Sequence, residues 1–181
     1  MPRLRAIGFA LILSGAALMS QAAAPELKVL TVGNAAISIA WDPAWQVSDP
    51  APDAPPNSAQ FQAANPHDML AMITAEARPT ADADVEGYMR HVIDATVKEF
   101  QPQSVEKELV PKAFTNGDVH GYRVCATDRA PKPEEYKYVC QGIATNGEFA
   151  VVFTILYNEA GKVQGEKASA ALEALQVPKS T

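Results

Sequence analysis

The 181 residues carry 21 Asp and Glu against 15 Lys and Arg, a net charge of −6 with neutral His, and 48% of the chain is hydrophobic. That balance suits a globular chain, and its sign repels nucleic-acid phosphates and anionic membrane surfaces, so no nucleic-acid partner is expected. The length fits one domain of ordinary size.

The chain opens on a leader. Met1-Pro-Arg-Leu-Arg5 is basic, Ala6 to Leu13 is apolar, and Ser14 to Ala24 is rich in small residues, which is the order of a secretory signal peptide. Ser20-Gln21-Ala22 puts small residues at the two positions a signal peptidase reads, whereas cutting after Ala24 would place Pro25 next to the break. Cleavage is expected after Ala22 or Ala23, leaving 1–22 as signal peptide and 23–181 as a single domain. Without Arg3 and Arg5 that domain has a net charge of −8, a balance that keeps an exported protein soluble and favours cationic partners. No later apolar run approaches the ~20 residues that span a bilayer. Neither cysteine lies near the leader, so no lipid anchor is expected. The sequence reads as a soluble periplasmic or secreted protein.

Leu27 to Val32 and Ala36 to Ala40 read as strands around Gly33-Asn34, and Trp41-Asp-Pro-Ala-Trp45 follows. Asp49-Pro-Ala-Pro-Asp-Ala-Pro-Pro56 cannot supply ladder donors and predicts an extended, exposed loop. Ala59 to Ala63 and Met69 to Ala75 predict two strands about the turn Asn65-Pro66-His67-Asp68, and the period changes at Arg78-Pro79. A helix over 84–100, capped by Asp82 or Asp84, presents Val85, Met89, Val92, Ile93, Thr96 and Phe100 as one apolar stripe. Val105 to Val110 reads as a short strand, and Asn116-Gly117-Asp118 as a turn.

Val119 to Thr127 and Tyr136 to Thr145 predict a hairpin centred near Lys132 and Pro133, which sets Cys125 opposite Cys140. In an oxidising compartment that pair forms a disulfide, and without a C-x-x-C motif its role is structural. Asn146-Gly147 predicts a two-residue hairpin pairing Thr145 with Glu148. Tyr138, Cys140 and Ala144 then share a face with Phe149, Val151, Phe153 and Ile155, while Val139, Ile143, Val152 and Leu156 take the other. A sheet apolar on both faces needs cover on both. A second helix over 165–176 offers Ala168, Ala171, Leu172 and Leu175, and Pro178 closes it.

Chemistry-bearing motifs are sparse. His67, His91 and His120 show no metal-ligand spacing, and a copper reading of His67, Met69 and His91 competes with methionines as core filler, so no cofactor or metal is expected. G-x-S-x-G and S-x-x-K are absent, and no catalytic residue is assigned. A hydrolase site assembled from separated acids (Asp42, Asp49, Asp53, Asp68) with His67 or His120 stays open. Trp41 and Trp45 read either as strand-end aromatics packed on the core or as a partner-binding edge.

The element order, with Pro43-Ala-Trp45 after the first strand, Ala71-Met-Ile73 in the second hairpin, Gly121-Tyr122 before a strand and Tyr157 ending the last strand, resembles the PsbP/DcrB-like superfamily. The resemblance implies an α+β fold, a single-domain α/β/α sandwich with a central antiparallel sheet, and helices near 84–100 and 165–176. It also implies a scaffold used for binding rather than catalysis, with no catalytic residues to carry over. The expected function is an exported, non-catalytic binding or accessory protein acting through a protein partner in the periplasm. The alternatives are an immunity-type inhibitor of a periplasmic toxin and the hydrolase already named.

Overall fold

The computed structural model describes residues 26–32, 35–77 and 84–177. The predicted signal peptide, the Gly33-Asn34 turn, the Arg78-Pro79 break, the Asp82 cap and Pro178 lie outside the described residues.

Strands β1 (Glu26–Val32) and β2 (Ala35–Trp41) pair as a separate antiparallel hairpin. A seven-stranded antiparallel sheet follows, built from β3 (Trp45–Ser48), β4 (Ser58–Ala63), β5 (Met69–Ala77), β6 (Lys112–Asn116), β7 (Val119–Thr127), β8 (Tyr138–Thr145) and β9 (Phe149–Tyr157). Its order is β3-β4-β5-β9-β8-β7-β6, so two runs of sequential neighbours meet along β5 and β9, from Met69↔Tyr157 to Ala77↔Phe149. Helix α1 (Val85–Phe100) follows β5 and helix α2 (Lys162–Glu173) follows β9.

Alternation along β9 sorts the interior into two cores. Val151, Phe153 and Ile155 pack with Leu172 and Leu175 at α2 and with Ile37 and Ile39 of the β1–β2 hairpin. Ala150 joins Met89 and Ile93 of α1, Ile143 of β8 and Val124 of β7, with Val152 against them. The two helices therefore lie on opposite faces of the central sheet, as the sequence reading has it. Met89 and Ile93 are fully buried, a contribution of about 2 kcal/mol each. Helix α1 starts where Asp84 accepts a hydrogen bond from Gly87 N at 2.9 Å, the expected cap.

The β7–β8 hairpin is centred between Lys132 and Pro133, with Cys125 directly opposite Cys140 and the sulfurs 2.08 Å apart. The β8–β9 register differs from the predicted one, because Thr145 pairs with Ala150, not Glu148. The physical reason is local: Asn146 Oδ1 accepts from Glu148 N (2.9 Å) and Phe149 N (3.1 Å), while Thr145 Oγ1 accepts from Gly147 N (3.0 Å). Side chains take the donors that the tighter turn would pair, and Gly147 closes it at φ +90°. A slip of two leaves every side chain on its expected face.

Three further expectations are corrected. Residues 105–110 form no strand, because the Gln101 side chain holds them as a loop, donating to Glu106 O (3.0 Å) and accepting from Leu109 N (2.8 Å). Helix α2 runs from Lys162 to Glu173 instead of 165–176, entered directly from the 3₁₀ turn Glu159–Gly161. The predicted buried set Ala168, Ala171, Leu172 and Leu175 is nonetheless buried. Finally, β3 is an additional edge strand, pairing Trp45↔Ala63 through Ser48↔Gln60. Among the described residues no helix is long and apolar enough to cross a membrane.

Candidate functional site

The apolar-on-both-faces reading holds for β8 and β9 but not for β4 and β5. In β4, Phe61 and Ala63 enter the α2-side core, whereas Ser58, Gln60 and Gln62 take the other face. In β5, Met69, Ala71, Ile73 and Ala75 are buried on the α2 side, and Leu70, Met72 and Thr74 are half-buried on the α1 side. Helix α1 packs on β7 and β8 and leaves the β4–β5 part of its face open. Cross-strand partners line up there as one row, Ser48–Gln60–Met72–Thr154–Gln141, running from β3 to β8.

Two cavities sit on this face and meet at Thr154. One, about 400 Å³, lies between the Pro-rich loop and the row, with Pro50, Asp53, Pro55, Met72 and Thr74 in its walls. The other, about 420 Å³, lies between the end of α1 and the 128–137 connection, lined by Phe100, Thr127, Tyr136, Val139 and Leu156. Together they form a trough that crosses the sheet obliquely from β4 to β7. The Pro-rich loop is anchored where Asn57, at φ 65°, presents its carbonyl to Ala75 N at 3.1 Å. Gln60 Nε2 donates to Ser48 Oγ at 2.9 Å, and the Ser58 and Thr74 hydroxyls are 2.8 Å apart.

The far wall is held by a carboxylate. Glu106 accepts from Ser104 Oγ, from Thr127 N (3.0 Å) and from Thr127 Oγ1 (2.8 Å). Partial burial pushes this carboxyl up, but the hydrogen bonds from Ser104 and Thr127 outweigh it and hold the group at about 2. Arg129 adds a hydrogen bond to Ser104 O at 2.7 Å. Tyr136 closes the end of the trough by donating to Pro66 O (2.9 Å), and burial raises its phenol.

The residues singled out from sequence lie elsewhere. Trp41 and Trp45 are 9% and 4% exposed, and their rings pack with Phe61 in the α2-side core. Trp45 Nε1 donates to Gln164 Oε1 at 2.8 Å. Their outer rim borders a third cavity of about 430 Å³, where Lys167 Nζ meets Asp42 Oδ2 at 2.6 Å. The Lys167 hydrogen bond, with Ala44 N, holds the Asp42 carboxyl below its usual value. The disulfide is also on the α2 side, with Cys140 buried and Cys125 exposed.

Met69 is buried on the α2 side while His91 is exposed on α1 across the sheet, so the copper reading finds no shared site in these two. Likewise His67 precedes Met69 at one end of the strands, and His120, opposite Thr145, stands at the other end. Of the acids the hydrolase reading combines with His67 or His120, Asp42 is paired with Lys167 on the α2 side and Asp53 borders the cavity at the Pro-rich loop, so the named acids do not converge on one pocket. The trough was missed in the sequence because its floor comes from five strands. The alternation Ser58, Gln60, Gln62 against Phe61 and Ala63 was the signal available for it.

No family model and no curated protein matches the chain. Solved structures do. The solution structure of cyanobacterial PsbP (CyanoP) from Synechocystis sp. PCC 6803 is similar at a TM-score of 0.54 and 13% identity, over 88% of this chain and 96% of that one. The fold is PsbP-like. The crystal structure of LpqN, described as involved in cell envelope biogenesis of Mycobacterium tuberculosis, is similar at a TM-score of 0.54 and 13% identity, over 85% of this chain and 91% of that one. A Bacteroides thetaiotaomicron VPI-5482 structure gives 0.51 and 12% identity, over 79% of this chain and 45% of that one. In this PsbP-like fold the trough occupies the part of one sheet face that α1 leaves uncovered.

Proposed function

We propose that this is an exported, non-catalytic binding or accessory protein that acts through a protein partner in the periplasm. What carries the reading is the trough: an open half-face of sheet floored by Gln60, Met72 and Thr154, walled by a Pro-rich loop and a stapled connection. Fixed walls around a floor of amide, hydroxyl and thioether groups suit the recognition of another chain. A disulfide across β7 and β8 fits an oxidising compartment, and the neighbours include a protein described as involved in cell envelope biogenesis.

The test is an affinity pull-down of the oxidised protein from its own envelope and secreted fraction, read by mass spectrometry, with Thr154→Arg in parallel. A stoichiometric partner that the wild type retains and Thr154→Arg loses supports the reading. A blank in both overturns it.

A further inference from the structure

The rims of the trough are acidic. Asp53 stands on the Pro-rich wall, and Glu99, Asp128 and Glu135 stand around the other cavity. Glu135 is paired with Lys132 at 2.9 Å, whereas Asp53 and Glu99 enter no ion pair among the described residues. The cation in the lining, Lys137, is held by Glu159 at 2.6 Å. On the floor, the Thr154 hydroxyl makes no side-chain hydrogen bond among the described residues, and Met72 and Leu156 flank it with half-buried apolar surface.

We propose that the trough takes an extended, basic segment of a partner polypeptide, its Lys or Arg side chains reaching the acidic rims and its backbone the Thr154 hydroxyl. The inference rests on the binding-protein reading above and adds the partner's chemistry to it. Charge complementarity selects the occupant: an anionic chain or a lipid headgroup would meet unpaired carboxylates on both walls. Dimensions agree. Five strands from β4 to β7 at ~4.8 Å spacing, crossed obliquely, make roughly 20 Å, which an extended chain covers in about six residues. Because the path runs across the strands and not along an edge, recognition falls to side chains on the floor and walls, without strand addition.

The probe is a fluorescein-labelled peptide, Lys-Ala-Lys-Leu-Lys-Ala-Lys, titrated by anisotropy against the full oxidised protein, with its Glu-for-Lys counterpart as control. The Lys peptide is expected to bind and the Glu peptide not to. Affinity should fall about tenfold or more in the double variant Asp53→Lys/Glu99→Lys, whose side chains have no structural partners. It should change less than about threefold in Glu26→Lys/Glu166→Lys, which alters net charge equally on the opposite side. Circular dichroism checks that both variants fold. Equal loss in the two double variants would reduce the effect to net charge and overturn the proposal. Absence of binding, or binding insensitive to Asp53→Lys/Glu99→Lys, would also overturn it. A pulled-down partner retained by Asp53→Lys/Glu99→Lys but lost by Thr154→Arg would leave the general reading standing and remove this one.

Discussion

Replacing Glu106 with Gln should destabilise the fold in a way that depends on pH, and the size follows from the loop it closes. The carboxylate accepts from Ser104 Oγ, Thr127 N and Thr127 Oγ1. A glutamine has one acceptor oxygen to offer them and turns N–H groups toward the remaining donors. The folded carboxyl sits at about 2 against an ordinary value of 4.5. At ~1.4 kcal/mol per unit that is about 3 kcal/mol, and the side chain's partial exposure brings it to about 2 kcal/mol. Because the folded value is depressed, this stability is fully present above pH 4.5 and is lost as pH falls from there toward 2. Urea unfolding of wild type and Glu106→Gln should differ by about 2 kcal/mol at pH 7 and by roughly a quarter of that at pH 2.5. A gap of the same size at both pH values would show that packing and not charge holds the loop, and would refute the reasoning.

Other substitutions test other layers. A Cβ on Gly161 would stand 1.8 Å from Asp68 O, a backbone atom that cannot yield, so Gly161→Ala should lower the melting temperature by about 6 °C or more. Leu172→Ala, at a fully buried position between α2 and the sheet, should cost about 3 kcal/mol in denaturant titration with the m-value unchanged. Replacing both Cys125 and Cys140 with Ala should cost about 3 kcal/mol, through the freedom returned to the unfolded chain between them. Intact-mass measurement of the exported protein should place its first residue at Ala23 or Ala24.

Local signals in the sequence were strong wherever a turn and its flanking strands were contiguous. The Lys132-Pro133 centre gave the Cys125–Cys140 pairing directly, and the Asp84 cap with the Met89–Ile93 stripe gave α1. At Asn146-Gly147 the turn was legible but its width was not, because Asn146 and Thr145 side chains compete with the backbone for the same donors. The apparent strand at Val105–Val110 failed for a related reason: Val105 and Val110 are exposed while Gln101 and Glu106 tie the segment back on itself. The trough depended on which strands α1 would leave bare. That is settled by the meeting of β5 and β9, a pairing no local pattern announces. The two tryptophans drew attention by their scarcity, yet scarcity says nothing about which side of a strand a ring takes.

The β5–β9 seam also sets an order of assembly. Residue 69 pairs with residue 157, so β5 must wait for nearly the whole remaining chain before its free edge is covered. The β3–β5 and β6–β9 runs each close through neighbouring hairpins, and the long loop between them is the expensive step. Until β9 emerges, the first run presents an open edge with Ala71 and Ile73 uncovered, the exposure that invites strand addition by the wrong chain. During synthesis the last fifth of the sequence, β9 and α2, thus acts as the lid on the first half.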